Sequence, residues 1–398
     1  MRPLVLITLI VLVDLLGFTL VMPLLPLYAR EYGFSSWQIG LLLAAFPLCQ
    51  LVAGPILGRL SDRYGRRPVL AVSQAGTAIS FLMLAFSSSF LWLLLARMLD
   101  GASGGNFLVA QAYVADVTKP EERARSLGLI GAAFGVGFVL GPLLGGLLLL
   151  LPLPAAWHLR LPFLVAAGFS TLAWILVLRF LPESLPADSE ARQAARSLSL
   201  EGLKASFQQP KLRLLILAGA LSTLAFATLE GTYSLFLKDR LHWSPASASL
   251  GFAFLGFVSA LVQGGMIRPL VKRFGELKLI LLGTVVLAIG LGLLGRVTDV
   301  YGLLLAAPLV ALGSGLANPA ITGLLSRSAS AAAQGAVFGT LSSAQTLARM
   351  LNYFVANQLL GLVSPGAPYY LGAVCAALAF VAAIALYRDS SRPAVESL

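Results

Sequence analysis

Five charged side chains stand deep inside long apolar stretches of this 398-residue chain: Asp14, Arg97, Asp100, Glu230 and Arg349. An ionisable group in such a setting is costly when charged, so it is paired or it moves protons and ions. Asp14 lies in the middle of its stretch, and the chemistry open to it is uptake and release of a proton. Arg97 and Asp100 are three residues apart, share one helix face and can pair. That pairing weakens Asp100 as an independent proton carrier. Glu230 and Arg349 are expected to pair with each other, since two lone charges would each be costly. The alternative is a lone Glu230 that faces a cavity and recognises a cationic substrate. The proton-coupling candidates are therefore Asp14, Asp100 and Glu230, with Arg97 and Arg349 as buried charge partners.

No other catalytic chemistry is legible. Cys49 and Cys375 each fall inside an apolar run and read as small packing residues, while His158 and His242 fall in loops. No metal site and no cofactor are expected. The chain lacks the G-x-x-x-x-G-K-[ST] phosphate loop, which argues against direct drive by ATP. An enzyme would need a nucleophile or metal constellation, and a channel would need a continuous polar path. Neither is present in the pattern of residues.

The elements that position these charges are membrane helices. Hydrophobic residues make up 58% of the chain and charged residues 11%, against roughly 25% charged in soluble proteins. Apolar runs of about 20 residues recur, long enough as helix to cross a hydrocarbon layer. In lipid each backbone N–H and C=O must be paired within its own segment, so the runs are helices. Twelve are expected: Leu4–Tyr28, Trp37–Leu57, Val69–Ser88, Phe90–Val114, Ala124–Leu150, Leu161–Leu181, Leu212–Leu237, Ala246–Ile267, Leu279–Gly295, Val300–Leu325, Ala332–Leu360 and Ala367–Tyr387, numbered spans 1 to 12. The first is not a cleavable signal: it is too long and carries Asp14.

The net charge of +11 does not mark a nucleic-acid binder, because the charges are confined to the gaps between spans. Of the 28 Lys and Arg, 21 fall on the side of the termini, 5 on the other side and 2 within spans, which places both termini in the cytoplasm. Arg268-Pro-Leu-Val-Lys-Arg-Phe-Gly275 after span 8 is a degenerate copy of Gly58-Arg-Leu-Ser-Asp-Arg-Tyr-Gly65 after span 2, offset by 210 residues. Gly128 and Gly335 echo each other at an offset of 207. Two near-equal offsets imply a six-helix unit used twice, with a midplane site between repeats. The domains expected are residues 1–181, a cytoplasmic linker over 182–211 and residues 212–398. Within the linker, Ala187–Phe207 is expected as an amphipathic surface helix.

Four ordered motifs carry a resemblance. Span 1 holds Asp14-Leu-Leu-Gly-Phe-Thr-Leu-Val-Met-Pro-Leu-Leu-Pro26, and spans 2 and 3 are joined by Gly58-Arg-Leu-Ser-Asp62-Arg63-Tyr-Gly65-Arg66-Arg67-Pro68. Span 4 holds Arg97-Met-Leu-Asp100-Gly101, and span 5 holds Gly128 followed by Gly137, Gly141, Pro142, Gly145 and Gly146. Together these resemble the drug/proton antiporter branch of the major facilitator superfamily, and within it the tetracycline/proton exporters. Leu181-Pro182-Glu183-Ser184 resembles that family's exit from the first half. The resemblance implies an all-α membrane protein of two pseudo-symmetric six-helix bundles. It implies that the loop after span 2 latches the outward-facing state, with Asp116 placed to partner its arginines. It also implies an exporter, since the span 5 motif marks that direction of transport.

In the family fold spans 3, 6, 9 and 12 face lipid and spans 1, 4, 7 and 10 line the cavity. The interior charges here avoid the first set. Asn106, Gln111, Tyr233 and Asn318 are the polar candidates for the cavity, whose few polar groups suit amphipathic or aromatic molecules. Asp100 departs from the family, which more often has a neutral residue there. The acidic residue of span 3 in tetracycline exporters falls on Ser80, and spans 8 and 9 lack an interior His or Asp. Tetracycline is therefore not named as the cargo. Thr118 and Glu121 read as a helix-capping box before span 5.

The function expected is proton-coupled efflux of small amphipathic or drug-like compounds by alternating access. The alternative keeps the fold and exports or facilitates passage of a sugar, metabolite or lipid-like molecule. The expected setting is the inner or plasma membrane, as a multi-pass monomer. Its partners are a small-molecule substrate, protons and membrane lipid, with no nucleic acid.

Overall fold

The computed structural model describes residues 3–158, 160–185, 209–329 and 333–390. All regular structure among them is helical. Ten helices are long and apolar enough to cross a membrane: Pro3–Glu31, Ser36–Tyr64, Arg66–Phe86, Arg125–Leu148, Arg160–Phe180, Pro210–Leu241, Pro245–Phe274, Glu276–Leu294, Val300–Ser328 and Ala367–Arg388. The two remaining spans miss those measures for local reasons. Span 4 is broken into Phe90–Ser103 and Asn106–Val117. Span 11, Gln334–Leu362, is diluted by polar residues that include Gln345, Arg349, Asn352 and Asn357. A twelve-helix count follows, consistent with the expectation.

Three helices depart from a straight rod. Span 1 breaks between Pro3–Val21 and Leu25–Glu31, because Pro23 supplies no N–H to the ladder and Pro26 suits the opening turn of the next helix. Span 4 breaks at Gly104 and Gly105, two poor helix formers in succession. The carbonyl of Gly104 at the break accepts a hydrogen bond from Gln50 Nε2 at 3.0 Å. Span 8 runs as Pro245–Leu261, then a π turn over Val262–Met266 at the Gly264–Gly265 pair, then Ile267–Phe274. These interruptions are a finding: hydropathy measures whether a stretch is apolar, not whether its ladder is continuous.

Two further expectations have other outcomes. The capping box is not formed: Thr118 Oγ1 donates back to the carbonyl of Val114 at 2.6 Å. A 3-10 turn over Pro120–Glu122 precedes span 5 instead, since Pro120 sets the backbone angle of that turn. The amphipathic linker helix expected over Ala187–Phe207 lies outside the described residues.

The chain forms two compact units. The first comprises Met1–Ser197 with Tyr233–Lys238 and His242–Phe257. Its core gathers Ile7, Ile10, Leu70, Val109, Tyr113 and Val177 from spans 1, 3, 4 and 6. The second comprises Leu198–Thr232, Asp239–Leu241 and Val258–Leu398. Its core gathers Leu215, Ile280, Ile321, Leu325, Leu341 and Ala383 from spans 7, 9, 10, 11 and 12. Outward faces remain apolar, with Val72, Leu91, Leu305 and Val381 more than half exposed, as lipid-facing surfaces are.

Candidate functional site

The first unit holds the lone acid. Asp14 sits mid-helix in span 1, and Asn106, the first residue after the span 4 break, donates from Nδ2 to Asp14 Oδ2 at 3.3 Å. No basic side chain among the described residues forms an ion pair with Asp14. Gln74 of span 3 stands beside the same carboxyl, and Asp14, Gln74 and Asn106 line one small cavity with Leu70 and Phe107. Gln74 is only 1% exposed, and sequence reasoning passed over it. The signal available was an amide in the interior of a span that otherwise reads as lipid-facing.

Asp100 has a different fate. Arg97 Nη1 lies 2.6 Å from Asp100 Oδ2, with both side chains buried. The guanidinium stacks over the Phe46 ring at 4.7 Å. Asp100 is thus held in an intrahelical pair one turn short of the span 4 break.

Below them the loop after span 2 builds a charge cluster. Span 2 ends at Tyr64, Gly65 adopts φ 104°, and span 3 starts at Arg66. The positive φ suits glycine and lets the chain reverse in a single residue. Arg66 Nη1 lies 2.7 Å from Asp62 Oδ1 and its Nε 3.0 Å from Asp116 Oδ2. Nη1 also donates to Ser61 Oγ at 2.6 Å. Arg67 donates to the carbonyls of Val177 and Leu178 in span 6. Arg63 is exposed and lies over the ring of its neighbour Tyr64, and Gly58 has open space at its Cβ position.

Glu183 completes the cluster, and sequence reasoning gave it no role. Its carboxylate accepts from the backbone N–H of Arg66 at 2.8 Å and of Arg67 at 3.1 Å, capping span 3 from the far end of the first half. Two orphan donors at a helix N-terminus meet a negative charge, the favourable sense for the helix dipole. Ser184 Oγ donates to Asp116 Oδ2 at 3.0 Å.

The glycines of span 5 divide into two groups. Gly137 packs on Leu15, and the Cβ position of Gly141 falls on Thr19 and the backbone of Leu20. Thr19 Oγ1 lies within hydrogen-bond reach of the carbonyls of Leu15 at 2.7 Å and Gly137 at 2.8 Å. Gly145 and Gly146 meet Ser249 and Leu250, which belong to the same compact unit. Gly128 has open space. Pro142 lies within an uninterrupted helix over Arg123–Leu148.

In the second unit Arg349 Nε stands 3.0 Å from Glu230 Oε2, close enough for an ion pair but not aligned as a hydrogen bond. Tyr353, one turn beyond Arg349, donates its hydroxyl to the same oxygen at 2.9 Å. Glu230 is buried, whereas the Arg349 side chain is 42% exposed. The same face of span 11 laces to span 7 through Asn352, whose Nδ2 donates to Thr228 Oγ1 at 2.9 Å and to the Leu224 carbonyl at 2.8 Å. Tyr233 does not meet Glu230: its buried ring is T-shaped against Phe252 with centroids 5.4 Å apart. Gln111 and Asn318 are half-buried, and Asn318 Oδ1 has no protein partner.

A multi-span helical protein with acids held inside its spans and a charged loop at the end of span 2 has the build of a membrane transporter. The sequence profile of the Major Facilitator Superfamily matches residues 7–268 and 215–397, and the chain belongs to that family. Its relatives include the class C tetracycline resistance protein of Escherichia coli, 35% identical over 84% of this chain and 83% of the relative. The quinolone resistance protein NorA of Staphylococcus aureus is 29% identical over 89% of each chain. Among solved structures, the human organic anion transporter MFSD10 superposes with a TM-score of 0.71 at 28% identity, covering 96% of this chain and 99% of that one. The family and the fold are those of a transporter rather than an enzyme.

Proposed function

We propose that this transporter exports small amphipathic, drug-like compounds in exchange for protons, with Asp14 as the coupling acid. The observation that carries this reading is the contrast among the three membrane acids. Asp100 is tied to Arg97 and Glu230 to Arg349, while Asp14 forms no ion pair among the described residues and has the amides of Asn106 and Gln74 beside it. A carboxyl without a fixed cation to hold it ionised is free to gain and lose a proton, and the change in its charge biases which side of an alternating-access cycle is favoured. Asp100 and Glu230 assist by holding their arginines.

The relatives named for tetracycline and quinolone resistance support a drug-like cargo. The charge asymmetry of the loops supports cytoplasmic termini. In this reading residues 1–181 and 212–398 are the two rocking halves, and the Asp62–Arg66–Asp116 cluster latches one of the two states.

The test is transport in everted membrane vesicles. Asp14→Asn is expected to reach the membrane folded and to lose proton-dependent export. Export at the wild-type level by that variant overturns the mechanism. A second reading makes the cargo an organic anion, favoured by the greater exposure of Arg349 than of Glu230 and by the named activity of the MFSD10 neighbour. A thermal-shift panel of cationic and anionic amphiphiles separates the two, because a ligand stabilises the folded state it binds.

A further inference from the structure

Arg349 stands near the middle of span 11, Gln334–Leu362, yet its side chain is 42% exposed. A cation at that depth faces protein or water and not lipid tails, so the exposure marks a water-filled opening. The helix shows from which end it opens. Ser342, two turns before Arg349 on the same face, is exposed, and Gln345 and Thr346, one turn before it, are half-buried. Beyond Arg349 on that face, Asn352 and Tyr353 are buried and hydrogen-bonded to span 7. The stripe is therefore open toward Gln334 and shut toward Leu362. Gln334 is the cytoplasmic end in the orientation that the loop charges support.

The ion pair sits unevenly in this opening. Glu230 is 5% exposed, and its Oε2 accepts the Tyr353 hydroxyl at 2.9 Å. Arg349 turns Nε toward that oxygen at 3.0 Å, and its guanidinium donates no aligned hydrogen bond among the described residues. The pair thus keeps its negative end inside and presents its positive end to the opening. Glu230 is also the one acid in the span interiors of this unit, so no second carboxylate offsets the exposed cation.

We propose that the Nη edge of Arg349 binds the carboxylate of the cargo, which makes Arg349 the residue that selects amphipathic organic acids. The proposal deepens the organic-anion reading of the cargo and rests on it, and it is independent of Asp14. A guanidinium is planar and offers two parallel N–H donors along one edge, the spacing of the two carboxylate oxygens. Glu230 engages the Nε side of the group, which leaves the Nη edge for a ligand. Phe338, three turns before Arg349 on the same face, is half-buried and supplies apolar wall for the body of such a molecule. A cationic cargo entering by this stripe meets the arginine first and is repelled, because Glu230 lies behind it.

Equilibrium dialysis of the purified full chain against three probes with one aromatic body tests the site: naphthalene-1-acetate, its methyl ester and 1-naphthylmethylammonium. Wild type is expected to bind the carboxylate about tenfold or more tighter than the ester, the effect of hydrogen bonds to a charged group, and the ammonium most weakly. Arg349→Gln should erase that preference. Because it leaves the Glu230 charge alone, the measurement is repeated on the Arg349→Gln, Glu230→Gln double variant, which removes both charges together and should show no preference either. Arg349→Lys keeps the charge without the planar edge and should retain only part of it. Glu230→Gln takes away the opposing negative charge and should bind the carboxylate at least as tightly as wild type. An equal loss in Glu230→Gln and Arg349→Gln would make the pair purely structural and overturn the proposal. If wild type and the double variant both prefer the carboxylate, the Arg349 site is refuted while the organic-anion reading stands. If wild type does not separate the acid from its ester, that reading falls together with the site.

Discussion

Arg66 and Glu276 stand 210 residues apart at the same place in the two repeats, and they form ion pairs of opposite polarity. Each follows a glycine of positive φ, 104° at Gly65 and 76° at Gly275. Each reaches a residue at the matching end of the fourth helix of its repeat: Arg66 meets Asp116, and Glu276 meets Arg327. The duplicated unit thus kept the position of the pair and exchanged its signs.

The two pairs differ in burial, and their energetic weight should differ accordingly. The Arg66 side chain is 9% exposed and serves both Asp62 and Asp116, whereas Arg327 is 58% exposed. Arg66→Ala is expected to cost about 1.5–3 kcal/mol, the range for charged hydrogen bonds out of water. Arg327→Ala should cost less than Arg66→Ala, because Arg327 is largely solvated and serves one carboxylate, Glu276, rather than two. Thermal unfolding of the two purified variants ranks them, and equal losses would refute the argument.

Glu183 is expected to behave as a helix cap. Glu183→Ala removes the acceptor for two N–H groups and should destabilise the protein by about 1–2 kcal/mol. Glu183→Gln keeps an acceptor oxygen and should lose less. Gly65→Ala combines a strained φ with a Cβ directed into the Glu183 carboxylate, so its melting temperature should fall at least as far. A Gly65→Ala protein that melts with wild type contradicts this geometry.

A double-mutant cycle addresses the second unit. Glu230→Gln and Arg349→Ala should show a coupling of about 0.5–3 kcal/mol in unfolding, as contacting residues do. Arg349→Ala is expected to be the more damaging single change, because it leaves the buried Glu230 charge with only Tyr353 beside it. Tyr353→Phe should cost about 1 kcal/mol. Additive effects of Glu230→Gln and Arg349→Ala would show that the pair contributes nothing.

The glycines of one motif should tolerate a methyl group unequally. Gly128→Ala meets open space and, as the better helix former, is expected to leave expression and melting unchanged or slightly improved. Gly141→Ala drives its Cβ into Thr19 and the Leu20 backbone and should cost about 1–3 kcal/mol, the usual range for overpacking. Solubilised yield and melting temperature for the two proteins check the contrast.

Much of this molecule was readable from residues alone. The spans announced themselves through unbroken apolar length, and Glu230 with Arg349 through the cost of leaving either charge alone. Arg97 and Asp100 followed from a spacing of three. What escaped had long-range or backbone causes. Glu183 caps a helix 117 residues earlier in the chain, a relationship that no local pattern carries. Gln74 lies on a span that the family fold turns toward lipid, and only tertiary packing sets it beside Asp14. Tyr353 was hidden because Tyr233 is nearer to Glu230 in the chain, yet the phenol that reaches the acid comes from another helix. The breaks at Pro23 and Gly104 interrupt hydrogen bonds without interrupting hydropathy.

The π turn at Val262–Met266 has a consequence for how the two repeats present their charged ends. At 3.6 residues per turn, one surplus residue swivels everything after it by about 100°. Arg268, Lys272 and Arg273 therefore leave the membrane on a different azimuth from the one a helical wheel drawn straight through span 8 would assign. Span 2 carries no such insertion ahead of Arg59 and Arg63. A straight wheel through span 8 therefore assigns the wrong face to the end of that helix, while one through span 2 does not.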